Sequence, residues 1–173
     1  MNGDKCMYIE NKSLREAYAL LENTTPLGRN DCGSVCDAYC CSDALGDSME
    51  LFPYEKEIFE KLDGFEVVDG EIPAVKCNGT CERETRPLAC RIYPLFPLVV
   101  NEDGEERIRV IYDPRATSSC PLCAHKAKLD RRFVRAVRRA GKYLLLDEQT
   151  AAHLRKTSEY LTELIELEVK LGL

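Results

Sequence analysis

Apolar residues recur at helical spacing in several stretches of the chain. Leu14, Ala17, Tyr18 and Leu21 form one stripe, so residues 13–22 are predicted to be a short amphipathic helix. Ser13 and Glu16 stand three apart as a capping box at its start. Residues 24–31, rich in Thr, Pro, Gly and Asn, read as a loop. Pro53 opens a predicted helix through Leu62, with Ile58 and Leu62 inward and Asp63-Gly64 ending it. Ser118 to Cys123 begins a predicted long helix with Pro121 in its first turn. Leu129, Phe133, Val137, Ala140 and Leu144 continue it as an apolar face, and Gly141 is expected to loosen its end. A last helix is predicted from Asp147 towards Leu171, with Ala151, Leu154, Leu161, Leu164, Ile165 and Leu171 apolar.

Elsewhere the pattern is that of strands. Residues 65–75 read as two short strands around Asp69-Gly70, a hairpin signal. Leu95–Val100 and Ile108–Tyr112 are apolar and rich in β-branched residues, and they flank the acidic stretch 101–106 as a second hairpin. The acidic tip reads as a solvated turn that keeps an edge soluble. Pro87, Pro94 and Pro97 exclude a regular helix and impose extended turns. The expected class is α+β: a small cysteine-rich metal-binding domain with short β-hairpins and two long C-terminal helices. A single domain over 1–173 is expected, with an N-terminal helix and loop (1–29), a cysteine-rich core (30–123) and a helical pair (124–173).

Composition changes the picture at one residue type. The 173 residues are 45% hydrophobic and 31% charged, which is ordinary globular chemistry, but ten are cysteine. The first ten residues carry charge throughout and no apolar h-region, so no signal peptide is read there. No apolar run approaches membrane-spanning length. A cytoplasmic location follows as an expectation. In that reducing compartment dense cysteine means metal or redox work, in preference to a disulfide framework or inert buried thiols.

Four thiols crowd into ten residues: Cys32, Cys36, Cys40 and Cys41. In a helix the first three lie on one face and Cys41 about 100° further round, unless the helix unwinds about the cluster. Asp31 is placed to cap a helix beginning at Cys32. Cys77 and Cys81 bracket a turn at Asn78-Gly79, Cys90 stands alone, and Cys120 and Cys123 have a zinc or redox spacing at a helix start. These nine thiols suffice for two four-coordinate sites, or for one iron–sulfur cluster and one zinc. A working division puts the 32–41 cluster with Cys90, and 77/81 with 120/123. Cys6 is the odd thiol. His125 and His153, the only histidines, read as surface helix residues, which disfavours a His-rich zinc site. Arg86 and Arg91 flank Cys90, where guanidinium groups can offset thiolate charge, and Tyr93 with Pro87 and Pro94 would stiffen that loop. Bound ions would replace part of a core, so their removal is expected to unfold the chain.

Three stretches together resemble a known family, the zinc- or iron-chelating cysteine-cluster proteins named for a CxxCxxCC motif. Cys32/Cys36/Cys40-Cys41 is similar to that cluster with gaps of three residues in place of two. Leu51-Phe-Pro-Tyr-Glu55 looks like the family's Pro-Glu helix start. Arg86-Pro-Leu-Ala-Cys90-Arg91-Ile-Tyr93-Pro94 looks like its second signature. The resemblance covers about residues 30–123. It implies a small cytosolic protein holding zinc or an iron–sulfur cluster through Cys32, Cys36, Cys40 or Cys41, and Cys90. Some relatives in that family are flagellin lysine-N-methylases, which implies a protein-lysine methyltransferase-like enzyme as the alternative. No dinucleotide-type glycine loop is present, so S-adenosylmethionine is not an expected cofactor.

Charge bears on partners. A net charge of −6 gives no general attraction to nucleic acid or anionic membrane. From His125 to Lys142, however, there are eight Lys and Arg against Asp130 alone. That face is expected to be solvated or paired with acids elsewhere in the chain, and nucleic acid is not the expected partner. The apolar stripe of the last helix permits a homodimer and is equally served by the chain's own core.

Overall fold

The computed structural model describes residues 8–28, 30–41, 48–77, 79, 81–124 and 127–172. Helices α1 (Lys12–Leu21), α2 (Gly33–Cys36), α3 (Lys56–Phe59), α4 (Leu88–Ile92), α5 (Pro121–Ala124), α6 (Arg131–Leu144) and α7 (Glu148–Leu171) alternate with strands β1 (Met49–Glu50), β2 (Phe65–Val68), β3 (Ala74–Cys77), β4 (Leu95–Glu102) and β5 (Glu105–Tyr112). β1, β3 and β2 form a small antiparallel sheet in that order, and β4 pairs with β5 in a separate hairpin. The class is thus α+β, with two long helices at the C-terminal end of the chain.

The main core joins the three long helices to the second hairpin. Leu14, Tyr18 and Leu21 of α1 meet Phe133, Val137 and Leu144 of α6, Leu154 and Leu161 of α7, and Leu95, Phe96 and Ile108 of the hairpin. Periodicity placed these side chains on inward faces, and their burial is the main stabilising term. Gly141 does not loosen α6. It lets the helix approach the hairpin, because a Cβ there would lie 2.7 Å from Pro97 Cβ and 3.1 Å from Ile108 Cγ2. A second, smaller core of Leu51, Phe59 and Val75 backs the three-stranded sheet.

Both expected hairpins form, but the first turns over residues 69–73, so its second strand begins at Ala74 and runs past 75 to Cys77. β4 and β5 run further than expected and close through Asp103-Gly104, both at positive φ, as a two-residue turn of the kind that matches strand twist. The acids of that tip are not merely solvated. Glu102 accepts from Arg109, and Glu106 pairs with Arg155 of α7.

Several boundaries differ from expectation, each for a local reason. The cap of α1 is Asn11, which accepts from Leu14 N at 3.0 Å, and Ser13 is buried one position inside the helix. The same Asn11 donates to Asp147, the N-cap of α7, so the two helix starts are tied together. The predicted 53–62 helix shrinks to α3. Tyr54 stands at φ 74; Ile58 and Leu62 pack partly buried against the small core as expected, and Phe59 joins them fully buried. The long helix predicted from Cys120 is split into α5 and α6, because the Asp130 carboxylate captures the Arg132 and Phe133 amides and starts a new helix.

Candidate metal centre

The cysteine cluster is not a continuous helix. α2 covers only Gly33–Cys36, then Asp37 and Ala38 both take φ 50, and Tyr39–Cys41 form a 3-10 turn. Left-handed backbone at two non-glycine residues in succession is uncommon and directs Cys40 and Cys41 away from the face of Cys36. Asp31 does not cap this segment with its side chain; its carboxylate binds the Arg86 guanidinium at 3.0 and 3.4 Å. That pairing holds Asp31 below its ordinary pKa.

Thiols distant in sequence converge on one cavity of about 290 Å³. Its wall includes Cys32, Cys40, Cys41, Cys77, Cys81 and Cys90, together with Arg86 and Tyr93. Two of the three segments that supply them, 77–81 and the start of α4, are fixed by neighbouring elements. β3 pairing places Cys77, and α4 carries Cys90. Arg83 anchors the loop after Cys81 by donating to the carbonyls of Leu21, Glu22 and Thr24 at the end of α1. Cys120 lies within electrostatic reach of Cys32, Cys36 and Cys40, on the flank of the cavity, and Cys123 lies beside Cys120. The working division is therefore not the grouping found: Cys77 and Cys81 neighbour Cys41 and Cys90, not Cys120 and Cys123. Cys6 and His125 lie outside the described residues.

The electrostatics of the cavity are uneven. Burial pushes the Cys90 thiol well up, and burial with the neighbouring Cys77 brings Cys81 to about 11. Cys41 moves the other way, down to about 6, through a hydrogen bond from Cys40 and the nearby Arg86 charge. Burial also works against the Arg86 charge, but Asp31 and Cys81 outweigh it, and the guanidinium is held protonated. Arg91 does not line the cavity. It donates to the Arg86 and Glu84 carbonyls and stacks on the Tyr18 ring at 4.6 Å, so it fixes the loop that presents Arg86. Tyr93 does line the wall, hydrogen-bonded to Ser119.

The donor set can be tested against a thiophilic metal. Cys40 Sγ and Cys41 Sγ are 3.9 Å apart. A tetrahedral zinc with sulfur at about 2.3 Å needs neighbouring sulfurs about 3.8 Å apart, so this pair already has the length of one edge. Arg86 Nε is buried with no hydrogen-bond partner among the described residues, an orphaned donor in the wall of a thiol cavity. Among the described residues, no three His, Cys, Asp or Glu side chains are drawn close enough to hold one ion as placed. The set fits a soft metal in donor chemistry and in the Cys40–Cys41 spacing, and the other thiols stand around the cavity without closing on a single point.

Two residues of this region have roles that sequence reasoning did not assign. Glu55 is fully buried; its carboxylate accepts from the Phe52 amide at 2.7 Å, the Leu88 amide at 2.8 Å and the Tyr18 hydroxyl. It thereby joins α1, the turn before α3, and the start of α4 that carries Cys90. The available signal was a lone acid after the apolar run Leu51-Phe-Pro-Tyr. His153 is not a free surface histidine: its ring stands 4.7 Å from that of Phe52, and burial lowers its pKa. It lines a neighbouring cavity of about 470 Å³ with Asp113 and Arg115, and this cavity shares Cys40, Met49 and Tyr93 with the thiol cavity.

Compared with protein-family models, curated proteins and solved structures, the chain matches none. No described helix is long and apolar enough to cross a membrane.

Proposed function

We propose that this chain is a metal-binding protein whose thiolates hold zinc or an iron–sulfur cluster. The observation that carries the reading is the convergence of Cys32, Cys40, Cys41, Cys77, Cys81 and Cys90, from three separate segments, on one cavity beside Arg86. A cavity wall built for apolar packing has no use for six thiols, whereas zinc and iron–sulfur centres select them. Each candidate holder has its place. Cys40 and Cys41 supply adjacent sulfurs. Cys77, Cys81 and Cys90 face them from β3, its following loop and α4. Arg86 offsets the anionic charge of bound thiolates and offers its free Nε–H to a sulfur. Cys36, Cys120 and Cys123 stand outside the cavity wall and are not needed to hold the ion there. A bound metal would supply cross-linking of loops and, as an iron–sulfur cluster, one-electron chemistry.

Anaerobic purification followed by elemental and acid-labile sulfide analysis tests this. One or more zinc, or iron with sulfide and broad visible absorption, is the expected result. A folded, metal-free protein that takes up neither zinc nor iron, or one with its cysteines joined as disulfides, would defeat the reading.

A further inference from the structure

The basic face of α6 is left unexplained by a thiol site, and its environment is specific. Arg131, Arg132, Arg135, Arg138, Arg139 and Lys142 are all exposed. At about 100° per residue they fall within an arc of about 120°, with the buried Phe133, Val137, Ala140 and Leu144 on the other side. The stripe is about 16 Å long at about 1.5 Å per residue. Cations elsewhere, such as Arg86, Arg109, Arg115 and Arg155, are each in an ion pair. None of the six on α6 forms an ion pair or a side-chain hydrogen bond with any described residue. The expectation that the chain's own acids neutralise this face therefore finds no support among the described residues.

We infer that this face of α6 binds the phosphate backbone of a nucleic acid. Three observations favour that partner. Five of the six cations are arginine, whose planar fork matches phosphate oxygens. A stripe of about 16 Å spans about five phosphates of one strand at about 3.4 Å axial spacing. Along the groove between α6 and the end of α1, Arg132, Arg135 and Arg139 share a cavity of about 330 Å³ with Asn23 and Thr24. There the buried Thr24 Oγ1 has no hydrogen-bond partner among the described residues. An acidic protein partner fits less well, because protein interfaces draw their affinity from large aromatic and aliphatic anchors, and the apolar lining of this groove is confined to Ala19, Leu20 and Ala136. The overall net charge of −6 does not oppose a local contact, since screening confines the field to about 10 Å at moderate salt.

The test is fluorescence anisotropy of a fluorescein-labelled single-stranded RNA of about 20 nucleotides, titrated with the purified full chain from about 50 to about 200 mM KCl. Binding should weaken with salt at a log–log slope of about −3 to −4, as expected for four to six phosphate contacts at about −0.7 each. The variant Arg135→Glu/Arg139→Glu, both sites exposed, should bind at least tenfold more weakly and with a shallower slope. The charge-neutral Arg138→Gln/Arg139→Gln should fall between the two. Absence of binding at the lowest salt overturns the inference, as does a double variant that binds like the parent. Binding of a polyglutamate peptide in preference to the RNA would also overturn it, and would assign the face to an acidic protein. Metal content is read on the same samples, so loss of RNA binding with metal retained separates this face from the thiol site.

Discussion

Replacing Glu55 by Gln tests the buried carboxylate at the junction of α1, α3 and α4. Burial pushes Glu55 up to about 7, against the three donors that favour its ionised form. The unfolded chain has the ordinary carboxyl value near 4.5. A raised folded pKa means that the folded state holds the proton more tightly. The associated stability is complete below the unfolded value and is lost as pH rises through about 7. The span of about 2.5 units corresponds to about 3 kcal/mol at about 1.36 kcal/mol per unit.

Gln cannot titrate, so it removes this dependence. Its oxygen can keep the Leu88 amide and the Tyr18 hydroxyl, but its NH2 then faces the Phe52 amide, donor against donor. A buried donor left unmet costs about 1–3 kcal/mol. Glu55→Gln should therefore be destabilising by about 2 kcal/mol near pH 5 and approach the parent's stability by about pH 8, where the parent has lost most of its proton-linked stability. Urea unfolding followed by circular dichroism across that range measures the difference, with metal content matched between samples. A gap that stays constant with pH, or widens as pH rises, would refute the argument and place Glu55 as an ionised carboxylate throughout.

The other predictions concern packing, capping and thiols. Gly141→Ala should destabilise by about 1–2 kcal/mol despite the better helix propensity of Ala, because the overlap with Pro97 and Ile108 exceeds the propensity gain; thermal unfolding reads it. Asp147→Ala should cost about 1–2 kcal/mol in urea unfolding, through loss of the Gln149 and Thr150 caps and of the Asn11 tie. Cys90→Ser and Cys77→Ser should lower metal stoichiometry sharply, while Cys123→Ser should leave it near the parent value. Equal loss in all three would return Cys123 to the ligand set.

What could be read ahead of the structure followed from periodicity. The α1 stripe, the α7 run from Asp147, and the β4–β5 hairpin all rest on neighbours in sequence, so their signals are local. The cysteine segment was not legible in the same way. Its course depends on Asp37 and Ala38 taking left-handed backbone, which no glycine announces. Asp130 looked like an interruption in a basic helix and is in fact its cap. Glu55 and Arg83 resemble surface charges, and Arg91 a thiolate partner, until the carbonyls, amides and aromatic ring that receive them are brought from other elements. The gathering of Cys77, Cys81 and Cys90 with Cys41 is likewise tertiary. Spacing along the chain groups thiols by proximity in sequence, whereas β3 pairing and the α4 start group them across it.

The distribution of burial also bears on how far metal loss would propagate. The segment bearing Cys32 to Cys41 has no buried residue in α2 or in the turn that follows, so little apolar packing holds it. The main core of α1, α4, α6, α7 and the β4–β5 hairpin draws none of its buried members from the thiols. Stability is therefore divided, and the region with few buried apolar contacts is the one expected to open first. Chelation should loosen residues 32–41 and 81–86 while α6 and β4–β5 stay folded, instead of the global unfolding that a metal-built core would give. Hydrogen exchange before and after treatment with a strong zinc or iron chelator measures this, with at least a tenfold faster exchange expected in the thiol segments and little change in α6. Loss of protection throughout the chain would mean that the helical core does not stand without the metal. Unchanged protection at 32–41 after the metal is removed would mean that the ion does not order that segment.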